Sequence, residues 1–137
     1  VYDVAKRVKK FGITYEIVGL LHDAIEDASP NKFKKEIISE IISSFDDKIF
    51  TAIMAMSKSK EEDYFRDYLP RVKANPIALK IKIADASHNL SKAHLIEDNE
   101  LQDKLRNKYI RVLNELGVNG TEYEKPLSFF DNEWREI

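Results

Sequence analysis

Residues 20–27 read Leu-Leu-His-Asp-Ala-Ile-Glu-Asp and lie within a strongly apolar run of the chain. Four titratable side chains, His22, Asp23, Glu26 and Asp27, fall within six positions of this stretch. Because helical steps of three and four residues return to the same face, a helix places these side chains on one side and the aliphatic residues in a core. Burying carboxylates beside an imidazole is costly unless something neutralises them. The stretch therefore favours a divalent cation held on a helix.

Size and composition predict one folded domain. The chain has 137 residues, of which 43% are hydrophobic, so it can bury a core without disulfides and is not expected to be disordered. Its formal net charge of −2 offers no basic field for a nucleic-acid partner. The chain has no cysteine, so a metal site would have to use nitrogen and oxygen ligands.

The chain carries no visible targeting signal. No apolar run approaches the roughly 18–20 residues of a membrane-spanning helix, and no signal peptide is recognisable. Together with the lack of cysteine, which suits a reducing compartment, this predicts a cytoplasmic protein with no membrane partner. The first residue is Val1 rather than methionine, so we expect that the natural protein begins further upstream.

Helical periodicity runs through most of the sequence and is interrupted by glycine, proline and polar clusters. Gly12 ends the first predicted helix, Thr14 caps the second, and Asn75 followed by Pro76 starts the sixth. The pattern predicts an all-α, single-domain bundle of about seven helices. The predicted helices span residues 1–11, 14–28, 32–42, 46–56, 61–74, 76–90 and 99–116.

One segment gives conflicting signals. Leu79, Ile81 and Ile83 alternate with lysines, which is the period of a strand, but no breaker follows until after Leu90. The uninterrupted length favours a buried helix, and this helix would carry a second group of polar residues.

Asp85 and Asn89 form that second group, one helical turn apart. Because Asp85 follows an apolar run, it is expected to be buried and to need a partner. An isolated His-Asp pair such as His22-Asp23 is more often a buried histidine beside a capping aspartate, and His88 is expected to be a core or supporting imidazole. Taken together, however, the two segments favour a shared ion.

These two segments resemble those of the HD-domain metal-dependent phosphohydrolases. Residues 22–27 are similar to the His-Asp-x-x-Glu-Asp signature of the RelA/SpoT-type guanosine polyphosphate 3′-pyrophosphohydrolases, and residues 82–89 are similar to their Lys-Leu-Ala-Asp-x-x-His-Asn segment. The match spans roughly residues 1–116 and resembles the small single-domain members. It implies that residues 1–117 form an HD-domain-like hydrolase domain.

The resemblance also implies a metal site. In the family an ion, most often Mn²⁺, is held by an upstream histidine, the His-Asp pair and the distant aspartate. His22, Asp23 and Asp85 match the last three ligands, and the upstream histidine is expected just ahead of Val1, in a part of the protein that precedes the given chain. Glu26 and Asp27 would be the catalytic residues that position or deprotonate the attacking water.

Substrate contacts are expected from four further residues. Asn89 resembles the family residue that contacts the ribose or phosphate of the substrate. Lys82 and Arg106 would offset the charge of the substrate, with Tyr109 in reach of the same region, although basic residues on helices are often simply solvated. Residues 118–137 would form a tail that packs on the domain or on the partner subunit of a homodimer.

The Glu26-Asp27 pair makes the 3′-pyrophosphate of ppGpp the first expected substrate, because that pair separates these hydrolases from other HD proteins. A second hypothesis is a phosphohydrolase acting on another nucleotide, such as a nucleoside monophosphate. A third hypothesis applies if no upstream histidine exists: a metal-poor module that senses a nucleotide without cleaving it.

Overall fold

The computed structural model describes residues 2–24, 32–120, 128–130 and 133–135. The predicted all-α, single-domain architecture is confirmed, and the described residues contain seven α-helices. The helices are α1 (Tyr2–Val8), α2 (Ile13–Leu21), α3 (Lys32–Ser43), α4 (Asp47–Ala55), α5 (Leu69–Ala74), α6 (Pro76–Lys92) and α7 (Asn99–Glu115).

Short elements complete the fold. Turns of 3₁₀ helix follow α1 and α6 at Lys9–Phe11 and Ala93–Leu95, and a π turn at Tyr64–Tyr68 leads into α5. Near the C-terminus, β1 (Ser128–Phe130) and β2 (Glu133–Arg135) pair in antiparallel fashion, and β2 lies beside α1.

Helix α6 is the central element. Its residues Ala78 and Ile81 pack into one core with α1, α2 and α4, while Ala86 and Leu90 pack into a second core with α7. Burial on two opposite sides explains the strand-like alternation of apolar residues in this segment, since both faces of the helix need them. The prediction of a helix here is confirmed, and Asn75 caps it as expected through bonds from the N–H groups of Ile77 and Ala78.

Helices α1 and α2 pack closely at Gly19. A Cβ placed on Gly19 would lie 2.9 Å from the Cα of Ala5, which is too close for any side chain without a shift of the backbone. The lack of a side chain at this position lets α1 pack against both α2 and α6.

Two predicted helix boundaries are wrong. Thr14 does not cap α2: the helix begins at Ile13, and Gly12, with φ of 119°, is the capping residue without a side-chain bond. The fifth predicted helix does not begin at residue 61, because Asp63 caps the π turn that starts at Tyr64. At the second place the Asp63 side chain accepts from the Arg66 N–H and so favours the later start.

Helix α3 presents much of its apolar surface to solvent. Ile42 is buried, but Phe33, Ile37 and Ile41 are exposed.

Among the described residues, no helix has both the length and the apolar character that crossing a membrane requires.

Candidate metal centre

His22 lies at the C-terminal end of α2. The helix stops at Leu21, so the expectation that His22 and Asp23 lie inside a helix reaching residue 28 is wrong for the described residues, which end here at residue 24. The reason is local: His22 Nδ1 donates a hydrogen bond of 2.8 Å to the Gly19 carbonyl, which a continuing helix would offer to the Asp23 N–H. A carbonyl can only accept, so Nδ1 carries a proton and Nε2 is the atom left to bind something else.

Two carboxylates face that second nitrogen. His22 Nε2 lies 3.3 Å from Asp23 Oδ2 and 3.9 Å from Asp85 Oδ1, although Asp85 belongs to the middle of α6. The imidazole is only 3% exposed, and its Nε2 has no hydrogen-bond partner. Three atoms with lone pairs thus face one another, and we call His22, Asp23 and Asp85 the His22 centre. Either a proton on Nε2 or a cation between the groups would relieve the repulsion among them.

The pKa values of these groups reflect that conflict. Burial lowers the pKa of His22, but Asp85 and Asp23 outweigh it, so the pKa of His22 is raised above its ordinary value. Burial raises the pKa of Asp85, but His22 and Lys82 outweigh it and bring that pKa to about 2. Asp85 therefore remains charged near neutral pH, as a metal ligand must be.

Lys82 is the positive charge next to this centre. Its Nζ donates to Asp85 Oδ2 at 3.4 Å, and it lies over the rings of Tyr64 and Tyr68 at 5.5 and 5.3 Å. Burial opposes the ammonium charge, but Tyr68, Asp85 and Tyr64 outweigh it, so the pKa of Lys82 is raised. The lysine is almost fully enclosed by groups of this chain.

The other predicted substrate contacts occupy the surrounding helices. Tyr109, on α7, is half-buried, and burial together with the Asp85 charge raises its pKa. Asn89 is half-buried on α6, one turn beyond Asp85. Arg106 is exposed on α7, three positions before Tyr109. Their contact with a substrate stays a prediction.

A second polar network joins α1 to α6, and its Arg7 was missed in the sequence. The buried Arg7 of α1 donates to Ser87 Oγ at 2.9 Å and to His88 Nδ1 at 3.3 Å, and His88 Nε2 lies 3.5 Å from Asp3 Oδ2. Burial and the Arg7 charge lower the pKa of His88. The expected supporting role of His88 agrees with these contacts. The signal for Arg7 was its position, about 60° from Val4 on the helix, at the shoulder of an apolar face.

Glu26 and Asp27, the predicted catalytic residues, lie outside the described residues. Within the part of the chain that the structure describes, no three or more His, Asp or Glu side chains already surround a point where an ion could bind. The donors of the His22 centre nonetheless suit a borderline or hard divalent ion. An imidazole held through Nδ1 by a carbonyl, with Nε2 unpartnered, is the usual state of a histidine ligand.

Neither a scan against family models nor searches of curated proteins and of solved structures finds a match for this chain.

Proposed function

We propose that this chain is a metal-dependent phosphohydrolase whose divalent ion, Mn²⁺ by preference, is bound by His22, Asp23 and Asp85. The observation that carries the proposal is the unpartnered Nε2 of a buried histidine facing two carboxylates from distant parts of the sequence. Buried polar atoms without partners are rare, and they concentrate at functional sites. The alternative, a protonated His22 paired with the two carboxylates, uses the same atoms and is separated from the proposal by experiment.

Each residue then has a defined task. A bound divalent ion supplies Lewis acidity toward a phosphoryl oxygen and makes water more acidic. Gly19 holds the His22 ring in place through its carbonyl, and Asp85 is kept charged. Glu26 and Asp27 follow His22 closely in the chain, and we assign them to orienting the attacking water and accepting its proton.

The substrate we favour is ppGpp, cleaved at its 3′-pyrophosphate, because the chain carries Glu26 and Asp27 after the His-Asp pair. The surroundings of Asp85 suit a nucleotide. Lys108 Nζ lies 5.4 Å from the Tyr64 ring and 5.7 Å from the Tyr109 ring, so aromatic faces and a cation occur side by side. Aromatic faces stack on nucleobases, and cations balance phosphate charge.

The decisive experiment measures hydrolysis of ppGpp by the full-length protein with Mn²⁺ and, as a control, with EDTA. Release of pyrophosphate that EDTA abolishes supports the proposal. Release of orthophosphate from nucleoside monophosphates, with ppGpp left intact, would favour the second substrate class. Nucleotide binding without Mn²⁺ binding would favour a sensing module and overturn the proposal.

Glu26→Gln tests the assignment of the base. The amide cannot accept a proton, so hydrolysis should slow by roughly 10²–10⁴-fold, while Mn²⁺ affinity, measured by isothermal titration calorimetry, stays near that of the wild type. An unchanged rate would remove Glu26 from the mechanism.

A further inference from the structure

The ammonium group of Lys82 is enclosed in a way that does not suit a substrate contact. Only 12% of the side chain is exposed, one N–H is used by Asp85 Oδ2, and the rings of Tyr64 and Tyr68 flank the charge. This head group is already paired with a carboxylate and stacked on two rings, so these groups hold it away from a substrate phosphate.

The walls of this enclosure are themselves fixed. Tyr68 is buried, and its hydroxyl donates to the Met56 carbonyl at 3.1 Å. The Arg71 guanidinium also stacks on the Tyr68 ring, with Cζ 5.6 Å from its centroid. Tyr64 packs against Tyr68 with ring centroids 5.1 Å apart. The π turn carries both tyrosines, and such wide turns are frequent at functional sites.

Asp85 consequently shares its two oxygens between two groups of different kind. Oδ2 faces Lys82, and Oδ1 faces His22 Nε2. An ion bound to the His22 centre would therefore meet a fixed positive charge on the far side of one of its own ligands. Like charges at such spacing repel strongly when water is excluded.

We propose that Lys82 is a positioning residue and a resident counter-cation: it holds the Asp85 carboxylate turned toward His22 and, by its charge, weakens the affinity of the site for a divalent ion. This inference rests on the ion site of the proposed function but not on the identity of the substrate. It replaces the expectation that Lys82 contacts the substrate. The enclosed lysine balances Asp85 when no ion is bound and keeps the bound ion exchangeable.

The test is titration of Mn²⁺ alone into the full-length protein by isothermal titration calorimetry. Lys82→Met removes the charge, and Lys82→Gln removes the charge but keeps a donor for Asp85, which protects folding. Lys82→Gln should bind Mn²⁺ at least about tenfold more tightly than the wild type, and Lys82→Met should gain less because Asp85 is then no longer held toward His22. Lys82→Arg keeps the charge and should restore an affinity within about twofold of the wild type.

Lys80→Met is the matched control on the same helix. Lys80 is exposed, its Nζ lies over the Phe11 ring at 4.9 Å, and it sits about 140° around the helix from Asp85. Removing the same formal charge there should leave Mn²⁺ affinity within about twofold of the wild type, because exposed charges are screened.

The outcomes separate this inference from the proposed function. If the wild type binds Mn²⁺ but the neutral Lys82 variants bind it equally or more weakly, the counter-cation role is overturned and the phosphohydrolase proposal stands. If the neutral Lys82 variants instead raise the KM for nucleotide about tenfold and leave Mn²⁺ affinity unchanged, the counter-cation role is also overturned, and Lys82 contacts the substrate. If neither the wild type nor any variant binds Mn²⁺, both proposals fail.

Discussion

Two polar clusters of this bundle differ in how well their charges are matched. In the first, which we call the Arg71 clasp, the Arg71 guanidinium donates to the Ala55 and Ser57 carbonyls and to the Glu62 carboxylate, and it stacks on Tyr68. Each of these donors meets an acceptor. In the second, the His22 centre, an imidazole nitrogen and two carboxylates face one another with acceptors in excess.

This difference indicates what each cluster does. A balanced cluster stabilises the fold, because each buried polar group recovers the hydrogen bonds that it lost with water. A cluster with surplus lone pairs costs stability by itself and makes sense when something else completes it. The Arg71 clasp ties the segment after α4 to α5, whereas the His22 centre keeps a buried nitrogen without a hydrogen-bond partner.

Asp85→Asn should have the largest effect, and it breaks the His22 centre alone. The amide lacks the charge that a divalent ion needs, so Mn²⁺ affinity in calorimetry should fall by more than about 100-fold, and phosphohydrolase activity should fall with it. Helical content in circular dichroism should be unchanged. Asp103→Asn, at an exposed position of α7, is the control that should change neither quantity. Normal Mn²⁺ binding by Asp85→Asn would show that α6 supplies no ligand to the ion.

Arg71→Met tests the other half of the comparison. Losing a guanidinium that serves two carbonyls and a carboxylate should lower the free energy of unfolding in urea by about 2–3 kcal/mol, a value already reduced for partial exposure. Mn²⁺ affinity should stay within about twofold. Arg66→Met removes a charge that is 78% exposed and should leave the free energy of unfolding close to that of the wild type. A stable Arg71→Met protein that no longer binds Mn²⁺ would contradict the separation of the two clusters.

Gly19→Ala probes the packing that supports His22. The new methyl group would press on the Ala5 backbone, and the free energy of unfolding should fall by about 1–2 kcal/mol in urea denaturation. Ile13→Ala, at a largely exposed position of the same helix, should stay within about 0.5 kcal/mol of the wild type. Equal stability of Gly19→Ala and the wild type would mean that α1 and α2 separate without cost.

The pH dependence of stability should show the smallest effect. Arg71 lowers the pKa of Glu62 to about 2 from an ordinary 4.5, with the Ser59 N–H contributing. A lowered folded-state pKa means that Glu62 stabilises the fold fully above about pH 4.5 and loses this effect as the pH falls toward 2. Glu62→Gln should therefore flatten the decline of unfolding free energy between pH 4.5 and 2, relative to the wild type. If the free energy of unfolding declines identically in both proteins, carboxylates other than Glu62 cause the decline.

Much of the fold could be predicted from local chemistry. Asn75-Pro76 and the absence of any breaker before Leu90 outweighed the strand-like alternation, because helix starts and stops are signalled by neighbouring residues. The approach of His22 to Asp85 was expected from two motifs that each needed a partner. These features depend on short stretches of sequence or on strong physical requirements.

The remaining features depend on distant contacts. The end of α2 is set by a side-chain bond from His22 to Gly19, which competes with the helix and cannot be recognised from periodicity. The burial of Arg7 follows from the docking of α1 on α6. Lys82 was predicted as one of several basic residues, and its enclosure becomes visible only once the π turn brings Tyr64 and Tyr68 over it.

In the wide turn at Tyr64–Tyr68, the number of residues matters as much as which residues they are. It lies between the Asp63 cap and Pro70, whose ring supplies no N–H to a regular helix. Deleting a single residue there would return the segment to ordinary winding and rotate Tyr64 by about 100°, away from the lysine that it covers. Homologues in which two tyrosines cover this lysine are therefore expected to tolerate substitutions in this turn more readily than insertions or deletions.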